Sequence, residues 1–144
     1  MELNRYVGKW YEIARYPKRF EHECDRDVTA EYSIREDGRI RVLNSCVTVA
    51  GRQKRAVGTA IVVDKTTCAK LKVTFFWPFY GKYWIIELGE NYEYAVVGEP
   101  SHNYLWSLSR SPQLSEVRYQ QILNSLNVNG DESSKLVKTR QPGT

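Results

Sequence analysis

Eight short runs of alternating apolar and polar residues occupy most of the chain between residues 9 and 110, and they constrain its fold more than any other feature. Each run is rich in β-branched and aromatic residues, and turn residues separate the runs at the spacing typical of all-β sandwiches and barrels. The runs lie at residues 9–16, 28–36, 39–47, 55–64, 70–76, 83–88, 94–98 and 104–110. Because the connections are short, neighbouring strands are expected to pair antiparallel as an up-and-down meander. Eight such strands remove their edges by closing into a barrel, and a barrel of this size can hold one small ligand.

Turn and helix signals complete this outline. Asp37-Gly38 predicts a type I′ hairpin turn, in which both central residues take a positive φ. After Pro112 the period becomes helical, with apolar residues at 119, 122, 123 and 126, Ser115 as the expected N-cap and Asn129-Gly130 as the stop. We therefore predict one helix over about 113–128, packed outside the barrel, and a short terminal strand over about 135–140. The 144 residues suit a single domain, 1–144, with one core.

Composition narrows the class of protein. Charged residues make up 26% of the chain, mean hydropathy is −0.54, and no apolar run approaches the roughly 20 residues of a membrane helix. The formal net charge of +4 suits an anionic ligand or a membrane surface. It falls short of the clustered basic residues and stacking aromatics of a nucleic-acid-binding protein, so we predict no nucleic-acid partner.

Three cysteines, Cys24, Cys46 and Cys68, leave at least one free thiol. They show no C-x-x-C motif and no zinc-finger spacing. A Cys24–Cys46 disulfide is compatible with an oxidising compartment. The sequence leaves that pairing open.

One stretch, TFFWPFYGKYW at residues 74–84, holds seven aromatics in eleven positions. Three readings are open: buried core, a binding surface, or the wall of a cavity that holds an apolar guest. An exposed apolar cluster would mark a site for a partner, a membrane or a ligand.

Two motifs resemble the lipocalin family. Gly8 and Trp10 in VGKWYEIARY match the family's Gly-x-Trp on the first strand, and Arg110 in WSLSR matches its arginine at the end of the eighth. ENYEYAVV resembles the middle motif, with Glu90-Asn91-Tyr92 in place of the usual Thr-Asp-Tyr. WYEIARY, FFWPFYG, YLWSLSR and the closing QPG are similar to bacterial outer-membrane lipocalins and apolipoprotein D. The resemblance implies that Trp10 closes the barrel floor and that Arg110 lies across its indole.

With Trp10 pointing inward, alternation and the resemblance together predict which side chains line the cavity. On the first strand Glu12, Ala14 and Tyr16 should face in and Arg15 out, and Glu12 needs a cation or hydroxyl partner. Small inward residues suggest an open cavity, and Asn44, Tyr83 and Tyr104 are candidates to meet a polar head group. The predicted ligand-binding residues are Ala14, Tyr16, Ala30, Tyr32, Asn44, Cys46, Ala60, Phe75, Tyr83, Ile85, Val97, Tyr104 and Trp106.

Loops opposite the floor should surround the mouth of the barrel. The predicted mouth combines aromatic and basic side chains, namely Phe20, Arg52, Lys54, Arg55, Trp77, Phe79 and Tyr80. Its cations would lie near the anionic head of a lipid whose tail is inside. A homodimer that closes one aromatic lip against another is an alternative use of the same surface.

Enzyme and metal chemistry find little support. The chain carries no Ser-His-Asp order, no phosphate loop and no paired acid motif, so we predict neither catalysis nor a cofactor. His22, Cys24 and His102 would meet at the mouth, but three loop residues without supporting ligands argue against a metal site. An inward Cys46 thiol stays open as a nucleophile, although no base lies beside it in sequence.

Taken together, we predict an all-β lipocalin barrel that binds, stores or transports a small hydrophobic ligand, a fatty acid or lysophospholipid. Two alternatives remain: a protein-interaction or dimerisation module that uses the aromatic loop, and an enzyme acting on a bound lipid. The resemblance implies the periplasm or outer membrane. ELNRYVGKW follows Met1 without the regions of a signal peptide or a lipidation site, so a cytoplasmic protein is also open.

Overall fold

Nine strands and two helices lie in the part of the chain that the computed structural model describes. It describes residues 2–16, 24–67, 69–76, 79–99, 104–128 and 136–141, and within these the side chains of 25, 75, 76, 79, 80 and 128 are left out of the description. The elements are α1 (Leu3–Tyr6), β1 (Gly8–Arg15), β2 (Cys24–Ile34), β3 (Ile40–Thr48), β4 (Gln53–Val62), β5 (Lys70–Phe76), β6 (Phe79–Leu88), β7 (Tyr94–Gly98), β8 (Leu105–Ser109), α2 (Glu116–Val128) and β9 (Val137–Lys138).

The first eight strands close into an antiparallel barrel. Each strand from β2 to β7 pairs with the next along the chain, and β1 pairs with both β8 and β2. The closing pairs include Tyr11 opposite Ser109 and Trp10 opposite Ala30. The predicted fold class is therefore confirmed. Closure leaves a central space, the lumen, whose floor lies at the start of β1 and whose mouth lies at the other end.

The β2–β3 hairpin differs from the predicted type I′ turn. Gly38 has a φ of +85°, whereas Asp27 and Tyr92 are the only non-glycine residues with positive φ in the described part of the chain. Asp37 is thus not left-handed. The Gly38 N–H donates to the Arg35 carbonyl at 3.0 Å, which makes a four-residue turn that ends in a left-handed glycine. Such turns are common in longer hairpin loops.

Helix α2 covers one side of the barrel. Ser115 caps it through a 3.2 Å hydrogen bond from the Arg118 N–H to Ser115 Oγ. The buried face, with Ile122 and Leu126, packs against Tyr94, Val96 and Leu105 on β7 and β8. The helix lies outside the barrel, as predicted. Neither helix of the described residues has the length and apolar character needed to cross a membrane.

A bulge in β1 overturns part of the predicted orientation. Glu12 pairs with Leu108 and Ala14 with Ser107, so Ile13 is an extra residue without a partner on β8. Side chains beyond a bulge change faces. Ala14 packs with Tyr119 of α2, and Tyr16 packs with Ile122. Their predicted place in the cavity wall was wrong, because strict alternation holds only up to residue 12.

The C-terminal segment lies beside the upper half of β1. Strand β9 pairs Lys138 with Ala14 and Val137 with Arg15, and Arg140 bridges to Arg26 on β2. The buried Gln141 amide donates to the Glu12 carbonyl at 2.7 Å and to the Val28 carbonyl at 2.8 Å. The segment therefore links β1 to β2 where these two strands no longer pair with each other.

Candidate ligand cavity

Trp10 and Arg110 close the floor. Trp10 is fully buried, and its indole N–H donates to the Tyr6 carbonyl at 2.8 Å. The Arg110 guanidinium lies 3.8 Å above the Trp10 ring and donates to the carbonyls of Arg5, Tyr6, Val7 and Lys9 at 2.7 to 3.1 Å. These bonds hold the α1 segment across the base of the barrel. The pair lies where the sequence motif predicts.

Gly8 makes room for that arrangement. Its φ is +108°, and a Cβ placed there would lie 3.2 Å from Arg110 Nη1. Both the backbone conformation and the close approach favour glycine. The first glycine of the motif therefore has a steric reason.

Strand register identifies the side chains that face the lumen, because paired residues share a face. Starting from Trp10, the register carries the inward face from Ala30 to Asn44 and Ala56, and from Tyr32 to Val42 and Gly58. The remaining strands contribute Ala60, Val73, Tyr83, Ile85, Ala95, Val97, Trp106 and Leu108. Ala14 and Tyr16 are the two predicted cavity residues that do not face the lumen. The other predicted cavity residues whose side chains the structure describes face inward. Phe75 lies on β5, and its side chain is outside the description.

Part of this inward face reaches solvent near the mouth, whereas Val42, Ala60 and Val97 are buried. Ala56 is exposed although it faces the lumen, and Ala30, Asn44, Ile85 and Trp106 are only partly buried. Tyr104 stacks on Trp106 with ring centroids 6.0 Å apart. Inward residues of a solid core would be buried. The upper end of the barrel is therefore open to solvent on its inner side, where its walls are mainly apolar.

Three tyrosine hydroxyls meet across the lower lumen. Tyr83 of β6 bonds Tyr32 of β2 at 2.8 Å and Tyr6 of α1 at 2.5 Å, oxygen to oxygen. Strands β2 and β6 stand on opposite sides of the ring, so these bonds form a hydroxyl bridge from wall to wall. Beneath it remains a cavity of about 10 Å³, lined in part by Leu3, Val7 and Leu71. That volume holds about one water molecule, so the bridge sets the depth of the usable lumen.

Burial dominates the acid–base chemistry of the bridge. Burial raises the pKa of Tyr32 to about 12, against the lowering effect of its bond to Tyr83. Burial is also the main reason that the pKa values of Tyr6 and Tyr83 lie well above the usual value for tyrosine. All three hydroxyls therefore remain neutral at physiological pH. Tyr83, expected to meet a ligand head group, instead bonds two other tyrosines.

The bulge turns Arg15 into the upper lumen, where it forms a charged pair with Glu12. Arg15 pairs with Trp106 and so faces inward, contrary to the prediction. Its Nη1 lies 3.5 Å from Glu12 Oε2, and its Nη2 donates to the Cys24 carbonyl at 3.1 Å. Thr139 donates its hydroxyl to the same Glu12 oxygen at 2.7 Å. Glu12 thus has the cation and hydroxyl partners that its burial requires. A bulge leaves no sequence signal here, so Arg15 and Thr139 were missed.

A disulfide joins β2 to β3 beside these groups. Cys24 and Cys46 are bonded, with Cα atoms 5.6 Å apart. Cys46 therefore has no thiol for nucleophilic chemistry, and Cys24 has none for a metal. Lys54 pairs with Cys46 and faces the lumen from β4, near its mouth. Cys68 lies outside the described residues.

The predicted mouth is only partly described. Lys54 and Arg55 are both exposed, but alternation directs Lys54 inward and Arg55 outward. Arg52 lies in the β3–β4 turn, where its N–H donates to Thr48 Oγ1 at 3.1 Å. Phe20 and Trp77 lie outside the described residues, as do His22 and His102, and the side chains of Phe79 and Tyr80 are left out. Across the described part of the chain, no three His, Cys, Asp or Glu residues cluster as metal ligands.

Comparisons with known proteins agree with this architecture. A family model described as a lipocalin-like domain matches residues 1–141. Outer membrane lipoprotein Blc of Citrobacter freundii is 43% identical over 143 residues, covering 99% of this chain and 80% of the relative. Apolipoprotein D of Macaca fascicularis is 33% identical over 145 residues, covering 96% and 76% of the two chains.

The fold is also similar to solved structures. Lobster apocrustacyanin A1 superposes with a TM-score of 0.77 at 18% identity, covering 97% of this chain and 79% of that one. At this identity the likeness concerns the fold alone. The sequence matches, the closed barrel and the Trp10–Arg110 floor together show that this chain belongs to the lipocalin family, whose members bind and carry small hydrophobic molecules.

Proposed function

We propose that the barrel binds a fatty acid or a lysophospholipid, with the acyl tail in the lumen and the anionic head at the mouth. The observation that carries the proposal is that Arg15 and Lys54 face the lumen above apolar walls. An amphiphile with one negative charge and one long tail matches that order of groups.

The walls suit an acyl chain. Ala30, Ala56 and Gly58 are small and leave volume, while Ile85, Val97 and Trp106 supply apolar surface. Each CH₂ that leaves water contributes about 0.8 kcal/mol, from which the cost of ordering the chain is subtracted. The hydroxyl bridge would stop the tail above the floor. Binding and release would then need no covalent step.

The two lumen cations stand on either side of the disulfide. Arg15 bonds the Cys24 carbonyl, and Lys54 pairs with Cys46. A carboxylate or phosphate that enters this part of the lumen would approach both positive charges. Glu12 balances part of the Arg15 charge.

We also revise the set of proposed ligand contacts. Ala14 and Tyr16 leave it, and Arg15, Lys54 and Ala56 join it because register directs them inward. The retained contacts are Ala30, Tyr32, Asn44, Cys46, Ala60, Phe75, Tyr83, Ile85, Val97, Tyr104 and Trp106. Tyr32 and Tyr83 would contact the inner end of the tail.

The proposed compartment is the bacterial envelope. Relatives from Citrobacter freundii, Escherichia coli and Vibrio cholerae carry the name outer membrane lipoprotein, at 41% to 43% identity. The Cys24–Cys46 disulfide supports an oxidising compartment. Hydrolysis of phospholipids in the membranes of that envelope would also produce fatty acids and lysophospholipids.

Tryptophan fluorescence tests the proposal, because two tryptophans stand on opposite faces of the wall. Trp106 faces the lumen, whereas Trp84 faces out and lies beneath Lys70. Delipidated protein is titrated with palmitate, lysophosphatidylethanolamine and hexadecanol, the last having a tail without a charge. We expect saturable quenching that Trp106→Phe largely removes and Trp84→Phe preserves. Calorimetry on both variants should show similar affinities, so that lost signal is not mistaken for lost binding.

The neutral alcohol separates the two parts of the proposal. Tighter binding of palmitate than of hexadecanol supports a head-group site beside Arg15 and Lys54. Equal affinities would reject the anionic head while retaining the apolar cavity. The absence of saturable binding to any of the three ligands would refute acyl-chain binding itself.

A further inference from the structure

The outer surface of β3 to β6 carries an unbalanced set of positive charges. Helix α2 packs over β7, β8 and β1, so it leaves the outside of β3–β6 uncovered. Register and alternation direct five exposed cations outward there, which we call the basic face: Arg41, Arg55, Lys70, Lys72 and Lys82.

Acidic residues are few on the same surface. Strands β3, β4 and β5 contain no Asp or Glu, and the carboxylate of β6, Glu87, bonds the Tyr94 hydroxyl at 3.1 Å. Asp64, in the turn before β5, accepts hydrogen bonds from Thr66 and Thr67. These bonds lower the pKa of Asp64, and the nearby charge of Lys70 lowers it further, so Asp64 offsets part of the charge at this edge of the basic face. Among the described residues, no ion pair forms to any cation of the basic face.

Two of these lysines stand directly opposite each other. Lys72 of β5 pairs with Lys82 of β6, and both side chains are exposed. Like charges in directly opposed positions destabilise a sheet. An anion bound between them would relieve the repulsion. The fold itself gains nothing from this arrangement, which points to a negatively charged occupant.

Apolar side chains are interspersed with the cations. Val57, Val63 and Ile86 are 55%, 53% and 39% exposed. Trp84 lies on the same face, with the Lys70 ammonium 4.4 Å from its ring centre. Exposed aliphatic groups, a tryptophan and lysines together are typical of surfaces that lie in the headgroup region of a membrane. A soluble polyanion would have no use for the aliphatic groups.

We propose that the basic face docks the barrel on an anionic lipid bilayer. The lysine and arginine side chains would meet lipid phosphates, and the valines and Ile86 would enter the boundary between headgroups and acyl chains. The barrel would then lie on its side, with α2 turned away from the membrane. This docking does not depend on what the lumen holds, so its test is independent of the proposed ligand.

Vesicle co-sedimentation of the full chain tests the proposal. Wild-type protein is mixed with phosphatidylcholine vesicles or with an equal mixture of phosphatidylcholine and phosphatidylglycerol. We expect binding to the anionic vesicles alone, with release as salt screens the charges. The double variant Lys72→Gln/Lys82→Gln should partition roughly tenfold less or weaker still.

A second pair of lysines supplies the matched control. Lys9 and Lys138 are exposed and lie on β1 and β9, away from the basic face. Lys9→Gln/Lys138→Gln removes the same charge and should retain most of the binding. Equal losses in the two double variants would mean that net charge alone acts, which overturns the proposal. So would failure of the wild type to prefer anionic vesicles, or binding of soluble polyphosphate without binding of vesicles.

Discussion

Two serines on β8 differ in whether their hydroxyls have a partner. Ser109 is 3% exposed, and its Oγ accepts the Ser111 N–H at 3.2 Å. Ser107 is fully buried between β1 and β7, and its Oγ has no hydrogen-bond partner in the described part of the structure. A buried hydroxyl without a partner keeps its desolvation cost and gains nothing in return. The Ser107 hydroxyl therefore destabilises the folded state.

Alanine substitutions at these serines should have opposite signs. We expect Ser107→Ala to raise the free energy of unfolding by about 1 kcal/mol, because it removes an unsatisfied group and leaves the packing intact. Ser109→Ala should lower it by about 1 kcal/mol, because the Ser111 N–H loses its acceptor. Urea unfolding at an unchanged m-value measures both. A lower midpoint for Ser107→Ala would contradict the absence of a partner.

At the scale of elements, the tyrosine bridge joins α1, β2 and β6, which are far apart in sequence. Tyr6, Tyr32 and Tyr83 share two hydroxyl–hydroxyl bonds in the lower lumen. Alternation predicts that Tyr32 and Tyr83 face inward. It does not predict that their hydroxyls meet across the barrel, because that depends on the diameter of the closed ring. Tyr6 belongs to a one-turn helix that the sequence pattern did not reveal.

The bridge should make the protein sensitive to alkaline pH. Burial raises all three tyrosine pKa values, that of Tyr32 to about 12, while unfolded tyrosines titrate near about 10. Above that pH the unfolded chain binds fewer protons than the folded one, so the free energy of unfolding falls as pH rises. The contribution of the bridge to the free energy of unfolding is fully present below about pH 10. It is lost as the pH approaches the pKa values of the three tyrosines in the folded protein.

Tyr83→Phe tests this linkage, because it removes the hydroxyl common to both bonds. The variant should lose about 1 to 2 kcal/mol at neutral pH and show a shallower decline between about pH 10 and 12. Urea unfolding at a series of pH values measures the slope, and tyrosinate absorbance follows the ionisation. Parallel slopes for the two proteins would show that other groups cause the alkaline loss.

The β1 bulge is a second feature that depends on contacts between elements. Alternation from Trp10 correctly directs Glu12 inward and then fails at Ile13, which has no partner on β8. The result is that Ala14 and Tyr16 serve the α2 interface, while Arg15 enters the lumen. Nothing in the local run of residues 9–16 distinguishes the bulged residue, because the choice depends on how β8 and α2 pack against it.

For the whole molecule, the space available to a ligand is the upper lumen. The Trp10–Arg110 floor and the tyrosine bridge close the barrel below it. Ala56 and Val57 are neighbours on β4 and are both exposed, but Ala56 faces the lumen and Val57 faces the outside. They offer a matched pair for testing whether that space holds the ligand.

Ala56→Trp should fill the upper lumen and weaken palmitate binding roughly tenfold or more, since even two displaced methylenes cost about 1.6 kcal/mol. Val57→Trp adds the same side chain outside and should leave the affinity within about twofold. Calorimetric titration of both folded variants measures the difference. Equal effects of the two substitutions would place the ligand outside the barrel.

The sequence by itself determined the eight strands, their antiparallel order, the Gly8, Trp10 and Arg110 floor and the outer helix. These follow from alternation, turn residues, helical spacing and family motifs, all of which are written in short stretches of chain. Only the tertiary structure decided the inward Arg15, the tyrosine bridge, the Cys24–Cys46 bond and the link from Gln141 to β1 and β2. Each depends on register and distance between segments remote in sequence, which no local pattern encodes.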